Sequence, residues 1–451
     1  MVVMLAPELE PTRRVAAAPG RTRRRTGAAA PPGVRSGLRP WISAQSLNVA
    51  RHAAALRPFD YDEFGPGDAA PSDGHIEAVN RLISSLRSEL LRRTAGVSQA
   101  AEAALDESNT ANLQRVVTLK HNAHVWVQAI ERVWDFYFEL FGQRQSRFAP
   151  WLLSCDRIAT DCYQQAYMGL AVAKSIPAPP PFSYMRTGFS PSTFRRGIPL
   201  RRLGQQLNPF PLIQLPYHRL VNPWTLGAML HEVSHNFQND LGLARAIPLA
   251  IARRLLREGH PYAVARAWVR WNRELFADVC GLLLGGPGFV ASLLDVLARS
   301  PAIVLTFDPR GPHPTPYFRM FINIELLRRI GFPDEAADFR RIWTRIYPDP
   351  RAGSLPAALL ERFAEANAQV VDTVCFRPFR TLGNKSLSEV IRFAPKEQQL
   401  IEEAARRLAS GTDPGIIPAR FLIGAARIAL DRRLAQPQAL AENFYKELAR
   451  R

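Results

Sequence analysis

Leu230-His231-Glu232-Val233-Ser234-His235-Asn236 sets two histidines four residues apart, with a glutamate directly after the first. On an α-helix, residues i and i+4 share a face, so both imidazoles reach one metal ion. A catalytic zinc site takes three protein ligands and keeps a fourth position for water; the glutamate between the histidines then serves as the base for that water. The chemistry that follows is hydrolysis. The motif asks two things of the chain around it: a helix here, and a third ligand from elsewhere.

Upstream, Asn222 and Pro223 make a helix start, as N-cap and first-turn proline. The spacing predicts a helix from about Trp224 to Asp240, with Leu226, Met229, Leu230, Val233 and Phe237 packing it into the domain. Before it, Phe210-Pro211-Leu212-Ile213-Gln214-Leu215-Pro216 reads as a short strand bounded by prolines, which suits a sheet edge. An edge strand there would hold an extended peptide by strand addition, or simply complete a sheet.

Downstream, a second helical pattern follows His260-Pro261 and runs to Leu284. It contains Glu274 and Asp278, again at i and i+4. Glu274 is the clear candidate for the third ligand, and Asp278 is placed to accept the outer N–H of a ligating histidine, which fixes its tautomer. Leu241-Gly242-Leu243 lacks the third histidine a metzincin needs at 241, and Gln238 stands where its glycine belongs. His121 and His124 sit at i and i+3, but no carboxylate or cysteine is near enough in sequence to complete a second site, so they are expected to be an ordinary surface or core pair.

His231-Glu232-x-x-His235 followed by Glu274-x-x-x-Asp278 resembles the gluzincin pattern of zinc metallopeptidases. His313-Pro314 followed by Arg319 is similar to the segment after the third ligand in the CAAX prenyl protease and HtpX family, and the run from Leu212 to His235 resembles that family's strand, loop and helix. The similarity covers about residues 210 to 325. It implies one zinc ion on His231, His235 and Glu274, with Glu232 as general base and Asp278 as outer-shell partner. It also implies His313 as oxyanion donor, with Arg319 positioning its loop; Tyr217, His218 and Tyr317 stay open as rival donors. Relatives of this kind are mostly integral-membrane proteins, and this chain shows no comparable spanning segment: its most apolar window, Gly281 to Ala298, is broken by Gly285-Gly286-Pro287-Gly288 and carries Asp295.

Composition frames the rest. A chain of 451 residues with 47% hydrophobic content has ample material for a core. Its formal charge of +18 raises nucleic acid or membrane as partners. Residues 1 to 58, however, hold ten arginines (13, 14, 21, 23, 24, 25, 35, 39, 51 and 57) against Glu8 and Glu10, which is +8, leaving +10 for the remaining 393 residues. A nucleic-acid role would thus belong to the tail alone. Four cysteines form neither a disulfide framework nor a paired zinc motif, and no signal peptide is visible, so a reducing, cytoplasmic setting is expected.

The expected fold is mainly α (α+β): a zincin-like catalytic domain with a small sheet, flanked by helical regions. Its parts are a disordered basic Ala/Pro/Arg-rich tail (1–70), an N-terminal helical region (71–175), the metallopeptidase core (176–345) and a C-terminal helical region (346–451) without recognisable chemistry. The leading expectation is a soluble zinc metalloendopeptidase acting on a peptide or protein substrate. The rivals are a non-catalytic interaction protein with a structural zinc closed by His218 or His313, and a DNA-associated protease recruited by the basic tail. Substrate preference and oligomeric state leave no mark in the sequence.

Overall fold

The computed structural model describes residues 32–170 and 174–451. It is mainly helical, 69% helix against 4% strand. The strands are β1 (Phe182–Met185), β2 (Ser192–Phe194), β3 (Pro199–Leu200), β4 (Gln206–Leu207) and β5 (Leu212–Leu215). Two compact units divide the chain: residues 1–145 with 197–209, and residues 146–196 with 210–451.

The first unit is built on α1 (Pro32–Ala55), α2 (Asp73–Asp106) and α3 (Thr110–Gly142), with β3 and β4 as an antiparallel ribbon. On α2, Ile76, Val79, Ile83, Leu86 and Leu90 are buried, the face that the 3.6-residue period marks. Asn109 caps α3 by accepting from the Asn112 N–H at 2.8 Å. Phe59 and Phe64 pack edge-on against Phe141, and Trp134 stacks on Phe138, so this aromatic group is packing.

The expectation of a disordered tail through residue 70 fails for its second half. Ile42, Val49 and Ala53 of α1 are fully buried. Their spacings of seven and four keep one apolar face turned inward, while alanine and arginine between them hide the period. Residues 1–31, which carry Arg21 to Arg25, lie outside the described residues.

The second unit holds α4 (Ala149–Met168), α5 (Tyr217–Val221), α6 (Gly227–Asp240), α7 (Ala246–Arg257), α8 (Tyr262–Leu297), α9 (Pro301–Val304) and α10 (Pro316–Arg329). It continues with α11 (Pro333–Ile346), α12 (Ala357–Val371), α13 (Leu387–Val390), α14 (Pro395–Ala409), α15 (Phe421–Asp431) and α16 (Pro437–Arg450). Proline opens α9, α10, α11, α14 and α16, where its missing N–H costs nothing and its fixed φ suits the first turn. The Ser386–Glu389 capping box legible in the sequence starts α13. The helices beyond residue 346 do not stand apart: Leu382, Ile401, Phe421 and Phe444 share one buried cluster with Trp268, Trp271 and Phe276 of α8. Each such large side chain contributes about 2–3 kcal/mol on burial.

The three-stranded sheet has the order β1-β5-β2, with β1 parallel and β2 antiparallel to β5. The strand expected at an edge is therefore the central one. Pro211 and Pro216 flank β5 without entering its ladder, so neither removes a needed N–H. The edges are β1 and β2.

Helix α6 lies antiparallel on α8. Near one end, a Cβ on Gly227 would sit 2.6 Å from the Ser292 side chain; near the other, Gln238 Nε2 donates to Asn272 Oδ1 at 3.0 Å. Asn222 does not cap α6 as expected: a 3-10 turn, Pro223–Thr225, intervenes, and the Asn222 side chain donates back to the His218 carbonyl. By length and composition α8 is the one described helix able to cross a membrane, but 83% of its most apolar window is buried within the protein. That is how a core helix looks.

Helix α8 breaks at Gly286, whose φ of 58° and ψ of −145° are open to glycine and barred to L side chains. Pro287 enforces the break by keeping the residue before it out of the α region. A Cβ at 286 would also lie 2.1 Å from the Phe393 ring. Gly286→Ala is therefore expected to cost about 3 kcal/mol or more, from strain plus overpacking, read as a lowered midpoint in urea unfolding; an unchanged midpoint would refute this account of the break.

Candidate metal centre

Helix α6 presents His231 and His235 to α8, and Glu274 of α8 faces both. His231 Nε2 lies 3.2 Å from Glu274 Oε2 and His235 Nε2 lies 3.5 Å from Glu274 Oε1. The ligating atoms of the three residues all fall within 4.8 Å of one another, and the group is the one among the described residues able to hold a metal ion. The two imidazoles stand nearly perpendicular, at 84°, with centroids 4.6 Å apart.

The outer shell explains the tautomer. Asp278 is fully buried, and its Oδ1 lies 2.8 Å from His231 Nδ1. If Nδ1–H donates to Asp278, the Nε2 lone pair of a neutral His231 is left facing a carboxylate oxygen. Two acceptors 3.2 Å apart repel unless a cation or proton lies between them. Glu274 Oε2 is also buried without a hydrogen-bond partner. The donor set of two imidazole nitrogens and one carboxylate, with that orphaned oxygen, fits a divalent transition metal.

The titration shifts follow from the same geometry. Burial and the Arg319 charge work against a proton on His231, but Asp278 and Glu274 outweigh them and lift it to about 9. Burial would raise Glu274, yet its contacts with His231 hold it down at about 2. His235 is pushed down to about 3 by burial and by the neighbouring His231. Asp278 stays well below the ordinary carboxylate range because Arg319 and His231 overcome its burial.

Glu232 lines the same cavity of about 400 Å³ as His231, His235, Glu274, His313 and Arg319. Burial pushes its carboxyl up to about 7, against a lowering contribution from the Thr193 backbone hydrogen bond. Thr193 ties β2 to α6 a second time, accepting at Oγ1 from Asn236 Nδ2 at 3.2 Å. The edge strand β2 thus forms one wall of the cavity. The sequence reading missed it, because three residues among prolines and glycines carry no readable period.

His313 does reach the site: its Nε2 lies 3.2 Å from Glu274 Oε2, with the side chain 60% exposed. The rival donors do not line this cavity. Tyr217 packs against Phe148 and Trp151, Tyr317 lines a separate groove, and His218 is on neither wall. Arg319, which the resemblance made the positioner of the His313 loop, grips Asp278 through Nε at 2.6 Å and Nη2 at 2.7 Å. Asn323, one turn further along α10, donates to Asp278 at 3.3 Å and was not foreseen. His124 neighbours His52, at 5.6 Å between rings, and neither joins a metal-competent group.

No protein-family model, curated protein or solved structure matches this chain. The likeness to gluzincins therefore rests on the residues of the site themselves.

Two expectations follow. Dialysed against zinc, the protein should retain one ion per chain, and Asp278→Asn should weaken that binding by about 10–100-fold; unaltered affinity would disconnect Asp278 from the site. In the chelated protein, Glu274 has a depressed pKa, so its stabilisation is present above about 4.5 and lost as pH falls towards 2. His231 has a raised one, so its stabilisation is present below about 6.5 and lost as pH rises through 9. Denaturant midpoints should accordingly decline on both sides of that range, and a midpoint flat from pH 6.5 to 9.5 would contradict the His231 assignment.

Proposed function

We propose that this chain is a zinc-dependent metalloendopeptidase with a gluzincin-like, zincin-type core. The observation that carries the reading is the convergence of His231, His235 and Glu274 at one point of an open cavity, with Glu232 on its wall. Nitrogen and carboxylate donors in a set of three suit zinc in a site that keeps room for water. When bound there, zinc supplies Lewis acidity to a carbonyl and brings the pKa of water to about 7.

The chain's own residues do the rest. Glu232, half-buried and with its carboxyl raised to about 7, takes a proton from the attacking water and passes it to the leaving amine. His313 is positioned over Glu274 to donate to the carbonyl oxygen as negative charge gathers on it. Asp278 holds the His231 ring, and Arg319 and Asn323 hold Asp278. The outer edge of β2 offers backbone groups along which an extended peptide can pair.

A second reading has one observation in its favour. His313 stands close enough to Glu274 to be imagined as a fourth ligand, which would make the site a closed structural one. His313→Ala separates the two readings: a catalytic donor predicts retained zinc with kcat lowered roughly 10²–10³-fold, a structural ligand predicts lost zinc.

For the main proposal, Glu232→Gln should keep the ion while peptide hydrolysis falls by at least about 10²–10⁴-fold. Metal content and digestion of a peptide library, measured on the same preparations, check both halves. Undiminished proteolysis by the variant would end the mechanism.

A further inference from the structure

Arg270, Glu274 and Asp278 stand at four-residue intervals on α8 and so share one strip of its surface. Glu274 belongs to the metal-competent group and Asp278 holds the His231 ring, which leaves the first position of the strip to be explained. Arg270 Nε donates to the Gly311 carbonyl at 3.0 Å. Its guanidinium also lies over the Phe307 ring, 6.0 Å from the centroid. Both contacts fall on the loop that delivers His313.

That loop is poorly equipped to hold itself. In Gly311-Pro312-His313-Pro314-Thr315-Pro316 every second residue is proline, so half of the segment has no backbone N–H to give. Gly311, His313 and Thr315 each precede a proline, which keeps them out of the α region and leaves the run stiff. A stiff run is steered from its ends. One end enters α10, where the Thr315 carbonyl accepts from the Arg319 N–H at 3.0 Å. The other is buried Gly311, whose carbonyl meets Arg270. His313 stands midway, its side chain largely exposed and yet its Nε2 only 3.2 Å from Glu274 Oε2. An exposed side chain gains little packing to keep such a place, so the backbone on both sides has to set it. The start of the loop is pinned separately, by the Phe307 N–H donating to Ser354 Oγ at 2.9 Å.

We propose that Arg270 is the positioning residue for His313, its bond to Gly311 fixing the proline-braced segment so that the imidazole stays beside Glu274. The use made of that imidazole, as donor to a carbonyl oxygen, rests on the peptidase reading. One strip of α8 then carries the tether of the donor loop, a metal ligand and the carboxylate behind another ligand. A single helix thereby sets the distance from metal to donor. Arg270 forms no ion pair with a described residue, and its Nη2 is buried without a hydrogen-bond partner, so replacing it strands no opposite charge.

The test uses the full-length, zinc-loaded chain. Arg270→Met and Arg270→Gln remove the tether with different side chains, Arg270→Lys restores a cationic donor, and Arg266→Met alters an exposed residue one turn earlier on α8 as the control. By nitrogen-15 relaxation, the order parameters of the Gly311 and His313 amides should fall from about 0.85 to below about 0.6 when the tether is removed. Those of α8 and α10 should stay unchanged, with the lysine variant in between. Kinetics on a cleaved peptide should show kcat lowered about tenfold at constant KM and zinc content. That loss should vanish when His313 is already alanine, because a residue acting through His313 alone then has nothing left to position. Whichever of the two tether-free variants keeps the melting temperature of the parent decides. Order parameters equal to those of Arg266→Met, or a kcat loss that persists beside His313→Ala, would overturn the assignment. Should the unsubstituted chain hydrolyse no peptide, the peptidase reading fails by itself and the order parameters alone judge the tether.

Discussion

The buried carboxylate of Asp278 is the constraint on which the second unit's centre depends. It joins three helices: it sits on α8, accepts from Arg319 of α10 and meets His231 of α6. A fully buried carboxylate is costly to desolvate unless it is paired and hydrogen-bonded. Here Arg319, His231 and Asn323 satisfy it together, so α6 and α10 cannot shift without leaving a charge stranded. Removing one partner from such a pair typically costs about 3–5 kcal/mol, mostly as the penalty on the partner left behind. The stability of the core and the orientation of His231 are thus one interaction.

That link works because α6 and α8 come close together. Gly227 has no Cβ to collide with Ser292, and Ser292 Oγ donates to the Trp224 carbonyl at 2.9 Å. Antiparallel packing then matches His231 and His235 to Glu274 in the middle, Ala228 to Leu293 at one end and Gln238 to Asn272 at the other. Edge strand β2 is held to α6 through Thr193, so this wall of the cavity is anchored to the helix carrying Glu232. Rigid elements on three sides keep the geometry from depending on loop motion.

How much of this was legible in the sequence follows from the range of each signal. His231, His235 and the pair Glu274 and Asp278 are spaced by the helical period, so their faces could be read locally. Their meeting was inferred from chemistry, since a two-histidine site needs a third donor. The grip of Arg319 on Asp278 was not legible, because no local pattern specifies what a residue 41 positions away will touch. The same holds for β2, whose place beside β5 comes from tertiary pairing, and for β5, whose flanking prolines suggested an edge although they lie outside the ladder. Helix α1 was hidden for a different reason: with Ile42, Val49 and Ala53 the only buried residues among those described, its core face is too sparse to stand out from an Ala- and Arg-rich background.

The metal-competent group itself is carried by two helices. His231, Glu232, His235 and Glu274 are all carried by α6 and α8, so a shift of one turn between these helices would misplace them together. Packing holds the register: Trp268 and Trp271 are fully buried on α8 within the core that takes in α14, α15 and α16. The C-terminal helices carry no recognisable chemistry of their own, yet they bury the far side of α8 and fix it where Glu274 can meet the histidines. Phe393, filling the space a side chain at Gly286 would need, completes that hold at the one point where α8 bends. The apparently inert last hundred residues therefore act on the site by setting the position of a single helix.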